Sequence, residues 1–410
     1  MHKRQKSGIF VSAVFLTAAL GSVPLPALAS GPGEIPASFA AAGGAAATYG
    51  AAAEIMSYTD LIHRSYDASY KKAVVMQKAI DALLAKPDAK TLAAARNAWL
   101  DAHITYSLTE AYRFYEGPID FAKNAEGDEG PEGRLNAWPL NEAFIDYVEG
   151  NPKAGIINDP SIKITEKSIR ERDQAADEKD VATGFHAVEF LLWGQDLSET
   201  GPGNRPATDY IAGKDNDDRR RLYLTTITSG IVDDLLWLTA QWDITLGNTY
   251  IHKFVALDQR EALGRILTGM ANLAGSELAI ERMSVALESG DQEDETSCFS
   301  DNSHKVFIAD HDSVKNIWFG TYGDWKGAGI VGLVTRVNPD LAKRVTAQMT
   351  KTTAALAAIP HPIDHNVLGT PKGSEGRKKM EAAVEDLIAE GKLIVEVGQA
   401  LGITITVASN

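Results

Sequence analysis

The chain has 410 residues, is 44% hydrophobic, and carries 55 acidic against 40 basic residues, a formal charge of −15. That length buries a sizeable core and fits two or three domains. The acidity argues against nucleic acid or an anionic membrane surface as partner and suits the attraction of cations. A single cysteine, Cys298, excludes an internal disulfide and any cysteine-rich metal site.

Lys3, Arg4 and Lys6 precede an apolar run from Ile9 to Leu20 and the small-residue site Ala27-Leu28-Ala29. This is the order of a secretory signal peptide, residues 1–29, cleaved near Ala29. The run is too short for a membrane span, and Gly21, Pro24 and Pro26 follow it. No transmembrane helix is expected in the mature chain. Ser30 rather than a cysteine follows the cleavage site, so no lipid anchor is indicated. Cleavage removes three basic and no acidic residues, leaving 37 basic against 55 acidic and a charge of −18. An exported protein of the periplasm or cell envelope is expected, with residues 30–50, rich in Gly, Ala and Pro, as a flexible leader.

Apolar spacing predicts a helix from Ala51 to Lys86, stopped by Pro87, with Asp88 placed to cap the next. That second helix, about Ala89 to Phe114, carries Trp99, His103, Tyr106, Glu110 and Arg113 at steps of four and three, on one face. Polar groups mixed with large aromatics suggest an internal pocket; an amphipathic boundary stripe is the alternative. An acidic, Gly-rich loop spans 124–133, a short helical pattern ends near Glu149, and 164–180 is helical in composition. The apolar helical run that follows, Gly184 to Asp196, bears His186 and Glu189. Residues 201–213, rich in Gly and Pro, mark the expected boundary between an N-terminal bundle (51–200) and a C-terminal one (214–405). Helices are expected over 217–242 and 258–288, the latter with Glu277, Glu281, Ser284 and Glu288 on one face. The acidic loop 289–303 surrounds Ser297-Cys298-Phe299-Ser300, residues 304–325 mix helix and loop, and helices over 339–358 and 376–401 close the chain. Only 403–407 alternates as a strand would. The fold class is all-α, two helical-bundle domains in series.

Among the nine histidines, only His186 heads a His-x-x-Glu. Three residues apart on a helix, imidazole and carboxylate converge on one ligand, and together they suit a first-row transition metal such as iron or zinc. The structural alternative is a buried histidine bonded to its neighbouring carboxylate. Asp60/His63 and Asp301/His304 form Asp-x-x-His pairs. The His-Glu-x-x-His of zinc proteases is absent, as is the Glu-x-x-His of ferritin-like di-iron centres. Glu110, Arg113, Asp301 and His304 are candidates to join His186 and Glu189 from distant segments.

Gly184-Phe185-His186-Ala187-Val188-Glu189 resembles the Gly-x-His-x-x-Glu signature of the imelysin-like proteins. Residues 109–120, beginning Thr109-Glu110-Ala111-Tyr112-Arg113, the block Asn136-Ala137-Trp138-Pro139-Leu140, and residues 292–302 agree with it. The last block resembles the iron-regulated protein A branch. The resemblance spans about 50–405 and implies two helical-bundle domains with a site near their interface. It implies an envelope protein associated with iron uptake, in a family historically classed with metallopeptidases. It also places Glu110, Arg113, Ser297 and Asp301 in family blocks around His186 and Glu189. Three functions are expected in turn: an iron- or zinc-binding protein working with envelope iron-uptake components, a zinc metallopeptidase, and an interaction protein whose polar network is structural.

Overall fold

In the computed structural model, residues 50–405 and 407 are described, apart from 126, 199 and 215. The expected signal peptide and all but the last residue of the leader lie outside the described residues. Nine helices of eight residues or more organise what is described: α1 (Ala52–Ala85), α2 (Ala89–Ser107), α3 (Gly184–Trp193), α4 (Asp217–Gln241), α5 (Gln259–Asn272), α6 (Ser303–Phe319), α7 (Ile330–Val337), α8 (Pro339–Ala357) and α9 (Glu375–Ala400). A π-helical run, Leu273–Ser284, continues α5. Strand pairing among the described residues is confined to a hairpin, Thr321–Tyr322 against Trp325–Lys326, and one bridge between Val148 and Asn151. The protein is all-α.

Local signals explain the longest elements. Ile55, Leu61, Ile62, Tyr66, Ala73, Met76, Ile80 and Leu83 recur at helical spacing and form the buried face of α1. Asp88 and Thr91 form a reciprocal capping box at the start of α2, satisfying two end groups that would otherwise lack partners. Asn338 caps α8, whose first residue, Pro339, needs no donor there. α1 packs along α2 and α4, and α3 closes against α2 and α4. α9 packs along the π-helical run and α8, with α5 and α6 against the same set. α6 also lies on α2, and α5 on α1. Packing therefore crosses the 201–213 stretch, because α4, which follows it, is a neighbour of α1.

Several expected elements change on folding. α2 ends at Ser107, and Glu110–Tyr112 forms a separate 3-10 turn, so Glu110 and Arg113 do not continue the helical stripe. That turn is pressed against α5 where a Cβ on Gly269 would come within 2.3 Å of the Ala111 carbonyl oxygen. In the expected helix 164–180, only Glu166–Arg170 is helical. The mixed region after 304 is a regular helix, α6, followed by the hairpin. Residues 403–405 form no strand.

Candidate functional site

α3 is buried from end to end, which its near-continuous apolar sequence requires. Gly184 opens it at φ +82°, and a Cβ there would lie 2.5 Å from the Leu135 carbonyl oxygen. Only glycine fits both demands. Thr183, just before it, donates its hydroxyl to the Arg134 carbonyl and to Asp173. The first turn of α3 is thus pinned to the segment around Asn136, and His186 and Glu189 follow from that anchor.

His186 Nδ1 and Glu189 Oε2 are 2.9 Å apart, and both side chains are buried. The other oxygen, Oε1, accepts from the Ser300 hydroxyl at 2.5 Å and from the Ser300 backbone N–H at 3.1 Å. Burial pushes the Glu189 carboxyl up to about 8, with Ser300 pulling the other way. Burial, assisted by Arg282, lowers His186 to about 3, so its ring is neutral at ordinary pH. The His103 ring stands edge-on to His186 with centroids 5.0 Å apart. It too is lowered to about 3 by burial. Its Nε2 meets Asn136 Oδ1 at 2.9 Å, and its Nδ1 has no hydrogen-bond partner.

Asn136 carries the network onward. Its amide donates to Glu110 Oε1 at 3.1 Å, while Glu110 Oε2 accepts from Arg113 at 2.6 Å and from Arg282 at 2.8 Å. Burial disfavours the Glu110 carboxylate, but Arg282 and Arg113 outweigh it and hold the group below its usual range. Arg282 also donates to Asp310 at 2.9 Å and Glu277 at 3.0 Å, and its guanidinium lies over the Trp138 ring. Burial raises Asp310 to about 8 in spite of that arginine.

His186, Glu189, Glu110 and Arg113 therefore belong to one continuous polar cluster, bridged by His103 and Asn136. Ser297, Asp301 and His304 sit differently. Ser297 is fully buried and its hydroxyl lacks a partner. Asp301 adopts a left-handed backbone, φ 57°, directly after Ser300, and its carboxyl is raised to about 7 by burial and by Asp364, Asp196 and Glu189. His304 stacks on His361 at 4.1 Å and has no contact with His186 in the hydrogen-bond network. Glu295, buried like Ser297, is raised to about 8, first by burial, with Ser303 pulling the other way.

Sequence reasoning missed Ser300, Asn136 and Arg282 as parts of this cluster. Arg282 escaped because the π-helical run shifts the phase: Arg282 is buried while Glu288, on the face expected to carry Glu277, Glu281 and Ser284, is exposed. Ser300 and Asn136 lay inside quoted blocks, yet nothing local distinguished them from turn formers.

The imelysin family model matches residues 62–394. Over 323 residues the chain is 23% identical to iron-regulated protein A of Synechococcus elongatus, covering 75% of each. A candidate iron-regulated protein A precursor from Parabacteroides distasonis superposes with a TM-score of 0.65 at 20% identity, over 84% of this chain and 93% of that one. An imelysin-like protein from Psychrobacter arcticum does so at 0.62 and 15% identity, over 87% and 98%. Among the described residues no helix is long and apolar enough to cross a membrane. The match over most of its length makes this chain, all-α in its described residues, a member of the imelysin family.

Proposed function

We propose that this chain is an exported metal-binding protein of the cell envelope, linked to iron uptake, in which His186 holds iron or zinc and Glu189 orients it. One observation carries the reading: His186 Nδ1 is engaged by Glu189, whose far oxygen is fixed by Ser300. Metal-ligating histidines are commonly held this way, by a carboxylate on one ring nitrogen that frees the other for the ion. His103, neutral and with Nδ1 lacking a partner, offers a second imidazole on the adjacent α2. Neutral imidazoles suit iron and zinc. The similarity to proteins named as iron-regulated supports iron as cargo or resident ion.

A zinc metallopeptidase needs a carboxylate free to take a proton from metal-activated water. Glu189 has both oxygens engaged, which favours binding over hydrolysis. The test is metal content of the purified chain after equilibration with Fe²⁺ or Zn²⁺, wild type beside His186→Ala and His103→Ala. Loss of one ion per chain in both variants supports the reading. Equal retention in all three, with the variants merely melting earlier, makes the pair structural and overturns it.

A further inference from the structure

Asp196 follows the end of α3, while Asp364 and His365 open a π-helical turn, Asp364–Leu368, between α8 and α9. These segments are far apart in the chain, yet one ligand atom from each of the three side chains lies within 4.8 Å of the other two. Asp196 and Asp364 are only 4% and 5% exposed. Asp196 Oδ2 and both oxygens of Asp364 have no hydrogen-bond donor. His365 Nε2 comes within 2.9 Å of Asp364 Oδ2 but is not aligned to bond it, and it too lacks a partner.

Buried carboxylates left without donors are expensive, because water has been removed and nothing replaces it. An ion resolves that cost. Two carboxylate oxygens and an imidazole nitrogen are the mixed hard and borderline donors that Mn²⁺, Fe²⁺ or Zn²⁺ accept. Neighbouring ligands on such an ion, each about 2.1 Å from it, stand about 3.0 Å apart in an octahedral shell and about 3.4 Å in a tetrahedral one; His365 Nε2 and Asp364 Oδ2 are 2.9 Å apart. Two aspartates neutralise a divalent charge, and the imidazole adds none. The site is also reachable: Asp364 and His365 form part of an open groove with Ser198, Asp291, Gln292 and Gly369.

We infer that Asp196, Asp364 and His365 form a second metal site, separate from His186, that takes a divalent first-row cation from the groove. Asp301, half-buried with an unpartnered Oδ1, lies in the same field of negative charge. π-helical turns recur at functional sites, and here one places two consecutive ligands at the groove wall.

The probe is Mn²⁺ alone, titrated into the chelator-stripped chain, with the free ion followed by its electron paramagnetic resonance signal. Losing at most any ion held at His186, His186→Ala is expected to keep the Mn²⁺ ion held by Asp196, Asp364 and His365. Asp196→Asn/Asp364→Asn and His365→Ala are expected to bind it about tenfold or more weakly. The double Asn variant removes two buried, unneutralised charges, so the metal-free protein is expected to melt no lower than wild type. His365 is partly exposed at the groove, so His365→Ala decides the matter should the double variant not fold. Wild-type affinity in His365→Ala, or no Mn²⁺ uptake by wild type, overturns the site. Mn²⁺ uptake lost in His186→Ala but kept in the aspartate variants overturns this site alone and leaves the His186 reading standing.

Discussion

Arg282 donates to Glu110 across 2.8 Å, joining residues 172 apart in sequence. The same guanidinium reaches Asp310 on α6, so one buried cation ties together the turn after α2, the π-helical run and α6. Removing it takes one of two arginines from Glu110 and the arginine from Asp310, in a dry interior. Arg282→Met is therefore expected to destabilise the fold by about 3–5 kcal/mol. Asp310 is different, because burial raises its carboxyl well above the usual range while Arg282 pulls it down. Asp310→Asn removes a charge that burial disfavours and keeps an oxygen to accept from Arg282, so it is expected to cost less than Arg282→Met, about 1 kcal/mol. Urea denaturation of the two variants checks the contrast.

Gly184→Ala tests the anchor of α3. The new methyl would meet the Leu135 carbonyl in a backbone region that disfavours side chains. A loss of about 1–3 kcal/mol is expected from the backbone term alone, with the clash adding to it. Because the Gly184 turn sets where His186 points, the variant is also expected to lose whatever ion His186 holds. Thermal melting and metal content of the same preparation measure both.

Much of this was legible in the sequence, and the exceptions share a cause. Helical periodicity located α1, α4, α8 and α9 because each keeps one 3.6-residue phase along its length. Gly184, His186 and Glu189 were legible because their spacing lies within three turns of one helix. Glu110 and Arg113 were found as a pair but on the wrong element, since nothing in the pattern announces the break after Ser107. Arg282 needed the π-helical run, whose wider turn moves the inward face by a residue. Asp196, Asp364 and His365 needed the tertiary fold, which alone brings a loop after α3 beside a turn before α9.

The buried carboxyls predict a pH dependence with a definite sign. Burial raises Glu189 and Glu295 to about 8 in the folded chain, against an ordinary value of about 4.3 when unfolded. Between those values the folded state holds protons that the unfolded state has released, so stability falls as pH rises. His186 and His103, lowered to about 3, work in the opposite direction, but only below their unfolded value of about 6.5. From pH 6.5 to 8 the carboxyl trend stands alone. The metal-free chain is expected to be less stable at pH 8, with each such group contributing at most about 1.4 kcal/mol per pH unit. Glu189→Gln/Glu295→Gln should flatten the slope of stability against pH, measured by urea titration at each pH.

Ser300 separates an ion-orienting role for Glu189 from a purely structural one. Its hydroxyl is the shorter of two donors to Glu189 Oε1, and the backbone N–H stays in place when the side chain is trimmed. Ser300→Ala therefore leaves the carboxyl bonded but less tightly held, and its pKa should rise further as a stabilising donor is lost. If Glu189 orients His186 for a metal, partners one step removed from the ion typically govern affinity by about 10–100-fold. Ser300→Ala, one step further out than Glu189, should then weaken Fe²⁺ or Zn²⁺ binding by up to about tenfold while lowering stability by only about 1–3 kcal/mol. A conservative Ser300→Thr change, which keeps the hydroxyl, should restore part of the affinity. If affinity is the same in all three chains and only the melting temperature moves, Glu189 serves the packing of α3 alone.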